Sequence, residues 1–341
     1  METKIFSIAS TDDSRIEEIG KILKEGGLAA IPTETVYGLA ANALDEEAVK
    51  NIYKAKGRPS DNPLIVHISE LSQWDELVRE IPESAKKLAN AYWPGPLTII
   101  LKKSDKISDT VSGHLDTVDV RMPSHPIARA IIEKAGVPLA APSANTSGKP
   151  SPTEAKHVID DMMGRIDAIV DSGECSVGVE STVVSLAVSP PRLLRPGGVT
   201  PEMLADVLGE IEIDDAVYNK LADGQKASSP GMKYKHYSPS AKVIILKGDF
   251  EKYKAFLESH SDEGTVALCF EGEENSLPVK AVTYGRENDS VSQASRIFEA
   301  LRKVDEIGAK TVFARFPEKN GVGLAVFNRL VRAAAFNIIE L

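Results

Sequence analysis

A chain of 341 residues with 42% hydrophobic and 26% charged side chains has the composition of a soluble globular protein and length enough for two domains. Its 40 Lys+Arg against 50 Asp+Glu, a formal net charge of -10, exclude a surface coated with cations for long nucleic acid. No segment reaches the ~20 apolar residues of a membrane helix and no signal peptide opens the chain. Two distant cysteines, Cys175 and Cys269, exclude a disulfide framework and fit a reducing cytoplasm.

Asp12 and Asp13 can cap a first helix carrying Ile16, Ile19, Ile22 and Leu23 at helical spacing, stopped by Gly26-Gly27. Leu28–Ile31 reads as a buried strand closed by Pro32. A second helix opens at Asp45 and ends before Gly57. There Lys54, Lys56 and Arg58 crowd into five residues, ahead of the strand Leu64–Ile68. Gly57, Pro59 and Pro63 place this cluster at a loop, where binding residues often lie. Helices over 70–79 and 83–92 flank Pro82, and Trp93-Pro-Gly-Pro96 turns into the strand Leu97–Leu101. Further strand signals are Val118–Arg121, Leu139–Ala141, Ala168–Val170, Ser181–Leu186 and Arg192–Arg195, with a helix near 200–209 closing the unit.

Residues 224–240 show no hydrophobic periodicity and read as a linker. Lys226, Lys233, Lys235 and the tyrosines 234 and 237 make it unusual for a tether. A solvated tether and a segment folding over an anionic ligand both remain open. Beyond it, strands at 243–246, 265–270 and 311–315 alternate with helices at 249–259, 290–307 and 323–335. The expected organisation is α/β throughout. Residues 1–209 form a twisted open sheet with mixed strand directions, 210–240 a linker, and 241–341 a small Rossmann-like parallel sheet.

Neither common nucleotide signature is present: Gly148-Lys149 runs into Pro150, and Gly321-Val-Gly323 lacks a third glycine. Three other segments suit phosphate. They are Lys54–Arg58, the hydroxyl- and turn-rich run Ala141–Ser151 after a strand, and Arg195-Pro-Gly-Gly198 at a strand end. Each has a plainer reading, as a helix end favouring the dipole, a loop, or a surface arginine. Ile31–Ala40 and Gly178–Val184 set Thr33, Thr35, Ser181 and Thr182 against small apolar residues, which suits a small hydroxylated ligand. His67 could orient it or be a satisfied core histidine. The remaining histidines are scattered, so no zinc held by side chains is expected. A Mg²⁺ would arrive with a nucleotide's phosphates.

Lys54-x-Lys-Gly-Arg-Pro, Asn62-Pro-Leu, His67, Ser143-Ala-Asn145, Gly178-Val-Glu-Ser-Thr182 and Arg195-Pro-Gly197 resemble the YrdC-type threonylcarbamoyl-AMP synthases. The segments Ser229–Pro239 and Gly323–Ala334 resemble the long, two-domain form. The resemblance implies a nucleotidyltransferase that joins ATP, bicarbonate and L-threonine into threonylcarbamoyl-adenylate and releases pyrophosphate. A downstream transferase would use that product to modify adenosine 37 in tRNAs reading codons that begin with A. By motif, Thr35, His67, Arg121 and Ser181, with the Ala141 backbone, would hold threonine. Arg58, Asn62, Thr117, Ser143, Ser151, Arg195 and Tyr234 would hold ATP. Lys54, Lys56, Arg58 and Arg195 would stabilise charge, with no side-chain nucleophile. Direct tRNA contact is allowed but not required. Competing readings are an RNA-binding module and a carbamoyl-phosphate-using hydrolase or transferase.

Overall fold

The computed structural model describes residues 2–220 and 237–341. Strands β1 (Lys4–Ser7), β2 (Ala29–Ile31), β3 (Gly38–Asn42), β4 (Ile65–His67), β5 (Leu97–Lys102) and β6 (Thr117–Arg121) are followed by β7 (Leu139–Ala140) and β8 (Ala168–Asp171). With β9 (Thr182–Ser185), β10 (Arg192–Arg195) and β11 (Glu212–Ile213) they form one sheet, ordered β1-β8-β2-β3-β7-β4-β6-β5-β9-β10-β11. Its directions are mixed: β4 and β6 run parallel, while β5 opposes β6. The sheet extends past residue 209, because β11 adds to β10.

Helices α1 (Arg15–Lys24), α2 (Glu46–Lys56), α3 (Leu71–Leu77), α4 (Glu83–Tyr92), α5 (Asp109–Ser112), α6 (Pro126–Ala135), α7 (Ala155–Met162) and α8 (Pro201–Leu208) cover it unevenly. Val49, Ile52, Leu88, Val158 and Leu204 pack with Leu39, Val66, Ile99 and Val120 on one face. On the other face, α1 and α6 pack only on the β1-β8-β2-β3 side, through Ile16, Ile19, Ile131 and Ile132. Beyond them that face forms the wall of a concave cavity lined by His67 and Arg121, beside a small core of Ile100, Val183, Leu194 and Ala216. Strand alternation places Ile65, His67, Asp119 and Arg121 there, since Ile65 pairs with Asp119 and His67 with Arg121.

The second sheet contains β12 (Lys242–Lys247), β13 (Thr265–Cys269), β14 (Lys280–Thr283), β15 (Thr311–Arg315) and β16 (Ile338–Glu340). Its order is β14-β13-β15-β12-β16, and every pairing is parallel. Helix α9 (Phe250–His260) lies on one face, with Tyr253 and Leu257 against Leu246 and Phe313. Helices α10 (Ser290–Glu306) and α11 (Gly323–Ala333) lie on the other and share a core with Val36 and Val179 of the first domain. The approach is close. A Cβ on Gly178, whose φ is +79°, would stand 2.4 Å from the Cα of Ser295 on α10. Arg302 of α10 also pairs with Asp161 of α7 at 2.8 Å.

Candidate functional site

Helix α2 ends where Gly57 adopts the left-handed conformation, φ 62°, so Lys54 and Lys56 belong to its last turn rather than to the loop. Neither stands in the cavity wall. Lys54 is exposed and borders a separate recess with Arg165 and Asp167. Lys56 turns inward, 2% exposed. Its ammonium donates to the carbonyls of Ser143 and of Asn145, the latter at 2.6 Å. Burial, helped by the positive charge of Arg58, pushes its pKa well below the ordinary value. Lys56 thus ties the 143–145 turn to the end of α2.

That turn is tightly tied. Ser143 donates to Asn145 Oδ1 at 2.6 Å, Asn145 Nδ2 reaches the carbonyls of Thr146 and Lys149 at 2.9 Å, and Ser147 N bonds the Lys56 carbonyl. Past Gly57, Arg58 Nη2 donates to the carbonyls of Asn62 and Pro63, while its Nε has no partner among the described residues. The Asn62 amide, 1% exposed, likewise has no partner there for its nitrogen or its oxygen. Arg58 lines a cavity on the second face of the sheet, and Asn62 does not.

The concave face brings most of the sequence candidates together. Thr35, Arg58, His67, Arg121, Ala141 and Ser143 share a cavity with Ser151, Ser181 and Arg195, joined by Glu180 and Tyr237. Thr117 begins the same strand as Arg121 but does not line it, and Tyr234 lies outside the described residues. The free space among the walls is about 60 Å³, well below the ~300–1,000 Å³ of an open small-molecule site. Another recess, about 870 Å³ between α3 and α6, has Glu70, Glu76, Lys106 and Arg129 around it. It carries no comparable convergence of buried polar groups.

Arg195 is 7% exposed at the end of β10. It donates through Nε to the Ser181 carbonyl at 3.0 Å and through Nη2 to Ser181 Oγ at 3.1 Å. Ser181 Oγ also meets Thr98 Oγ1 at 2.8 Å. Gly197 permits the turn that follows, because a Cβ there would meet Thr182 N at 2.4 Å.

Two features were not legible as site chemistry. Glu34, inside the Thr33-Glu-Thr35 run, pairs with Arg121 Nη2 at 2.7 Å, both groups buried. Burial opposes its charge, yet the guanidinium prevails and holds the carboxyl below its usual range. An acid set among hydroxyls and small apolar residues was the available signal. His67 is buried with Nδ1 3.3 Å from the Ile65 carbonyl, and burial, with the Arg121 charge, lowers its pKa to about 3. That shift favours the neutral imidazole, and His67 lines the cavity.

The second is Asp119, 1% exposed, whose Oδ2 has no partner among the described residues. Burial pushes its carboxyl up to about 7, against the pull of Arg195 and Arg58. The native state then keeps a proton that the unfolded chain releases near pH ~4. Stability falls as pH rises from there to about 7, and is level above. Asp119→Asn should therefore raise the melting temperature more at pH 8 than at pH 5. Equal shifts at both pH values would show a carboxylate already ionised in the fold. Cys175 is buried, with its thiol pushed up to about 12 by burial, and is inert.

Comparison with known proteins follows this geometry. Residues 21–197 match the Sua5/YciO/YrdC family, described as "Telomere recombination". Residues 199–335 match the family described as "Threonylcarbamoyl-AMP synthase, C-terminal domain". The chain is 48% identical to the threonylcarbamoyl-AMP synthase of Pyrococcus abyssi, covering 97% of both chains. It is 46% identical to that of Bacillus subtilis, covering 97% of this chain and 96% of the relative. A crystal structure of P. abyssi Sua5 complexed with L-threonine superposes with a TM-score of 0.94 at 46% identity, over 99% of this chain and 100% of that one. With both domain families matched in order and relatives aligned nearly end to end, the chain belongs to the two-domain threonylcarbamoyl-AMP synthase family.

Proposed function

We propose that the chain condenses L-threonine, bicarbonate and ATP into threonylcarbamoyl-AMP and pyrophosphate, supplying a transferase that modifies adenosine 37 of tRNAs reading ANN codons. The observation that carries this reading is the convergence of Arg58, Arg121 and Arg195 with the Thr35 and Ser181 hydroxyls on one concave face of an acidic protein. The P. abyssi relative bound to L-threonine supports the amino-acid half.

Glu34, paired with Arg121 at 2.7 Å behind the cavity wall, orients the guanidinium that faces the ligand. Arg121 suits the carboxylate, and neutral His67 can accept from the threonine hydroxyl. The Ser181 hydroxyl and the Ala141 backbone complete that pocket. Arg58, Asn62, Thr117, Ser143, Ser151 and Arg195 would take the nucleotide, with Tyr234 from the linker. Their donors fit phosphate oxygens, and Mg²⁺ would come with ATP, supplying charge neutralisation. Bicarbonate gives up water as carbon dioxide, which the neutral threonine amine captures, shedding a proton as the carbamate forms. The resulting carbamate oxygen then attacks the α-phosphorus while pyrophosphate departs. Positioning and fixed cations do this work without a protein nucleophile.

Mass spectrometry of protein with Mg-ATP, L-threonine and bicarbonate should find the adenylate, and pyrophosphate should depend on all three substrates. Pyrophosphate formed without threonine or without bicarbonate would sink the reading. Serine, short of one methyl, should lose only about 1–3 kcal/mol in kcat/KM, whereas valine should be rejected far more strongly. Comparable losses for both would remove the hydroxyl contact from the account.

A further inference from the structure

Arg329 is the largest fully buried side chain in the molecule's described part, and it comes from the second domain. Its guanidinium reaches across to a wall of the first domain's cavity. Nε donates to Glu180 Oε2 at 2.7 Å, Nη2 donates to the Glu180 carbonyl at 3.2 Å, and Nη1 donates to Asn328 Oδ1 at 3.0 Å. The other Glu180 oxygen receives the Ser151 hydroxyl. Asn328 in turn donates to the Val217 carbonyl at 2.8 Å, which pins α11 to the end of the first sheet's last segment. Tyr237 lies over the guanidinium, 5.6 Å from its ring centre, and lines the cavity too.

We propose that Arg329 is a positioning residue for the cavity: it fixes Glu180, and through it the Ser151 hydroxyl and the Ser181 segment that holds Arg195. The geometry leaves few alternatives for Glu180. A buried carboxylate in a site meant for phosphates repels the ligand unless a fixed cation neutralises it. Arg329 supplies that cation from α11, which shares a core with α10, the helix whose backbone lies against Gly178. The second domain thereby contributes to the site without touching substrate. This inference rests on the reaction proposed above.

The test compares full-length parent, Arg329→Gln, Arg329→Lys and the double variant E180Q/R329Q. Each is measured for pyrophosphate formation, for L-threonine Kd by calorimetry, and for melting temperature. Arg329→Gln removes the cation bonded to Glu180 and leaves the more distant Arg195 to offset its charge. It should cut kcat/KM for ATP about 100-fold and weaken threonine about tenfold, in protein still folded at the assay temperature. Arg329→Lys should recover part of this loss. The double variant, which removes the Glu180 charge as well, should exceed Arg329→Gln at least tenfold. A folded Arg329→Gln protein within threefold of the parent in both kcat/KM and threonine Kd overturns the proposal. So does a double variant no better than Arg329→Gln, which would make the pair a plain interdomain tie. A parent that binds threonine yet forms no pyrophosphate would fail the assigned reaction instead, and the Kd comparison would still decide the role of Arg329.

Discussion

Replacing Arg195 with alanine is expected to cut turnover about 100-fold or more, the usual cost of one preorganised donor at a site of developing charge. The structure adds a second loss. Arg195 spends two donors on Ser181, so alanine leaves the Ser181 hydroxyl held only by Thr98 among the described residues and takes a donor from its carbonyl. KM for threonine should therefore rise together with the fall in kcat, although the deleted side chain is assigned to ATP. Arg195→Lys keeps the charge but cannot span the Ser181 carbonyl and hydroxyl together. It should recover less than a tenth of parental activity. Steady-state pyrophosphate release over both substrates checks this, and near-normal rates in Arg195→Ala would remove the residue from the mechanism.

The second large effect is expected at Lys56, and on stability. Lys56→Met keeps much of the stem's packing and deletes the ammonium that joins the Ser143 and Asn145 carbonyls. Each buried acceptor left unpaired costs about 1–3 kcal/mol, so two of them take a large share of a typical 5–15 kcal/mol. The melting temperature should drop by roughly 10 °C. ATP affinity should fall with it, because the turn bearing Ser143 loses its anchor, while threonine affinity should change less. A Lys56→Met protein as stable as its parent, but unable to bind ATP, would return the ammonium to direct phosphate contact.

Much of the second domain is legible because its strands are apolar runs and α10 is a long amphipathic helix capped by Asp289. Other elements declare themselves less plainly. β3 is Gly-Leu-Ala-Ala-Asn, without a β-branched or aromatic residue, and exists because β2 and β7 pair on either side of it. Helix α6 carries Pro126 at its first turn and Gly136 at its stop, signals easily passed over in a chain with 20 prolines. At the site, residue types and strand-end positions singled out Arg58, Ser143, Ser181 and Arg195. What they could not supply is sheet order. Only the adjacency of β4, β6, β5, β9 and β10 brings His67, Arg121, Ser181 and Arg195 under one roof. Nor does a motif reveal that Lys56 faces carbonyls while Arg58, two residues on, faces the cavity.

Gly178 shows how narrow the tolerance between the domains is. A single methyl group there would need space already filled by the backbone of α10, in a left-handed conformation that other residues resist. Such a wedge would lift α10 and, through their shared core, α11, carrying Arg329 away from Glu180. The change would look like an active-site defect although nothing near a substrate had been altered. In a library of random variants, this position should behave as a clearance gauge between the two halves: any side chain, however small, sets them apart.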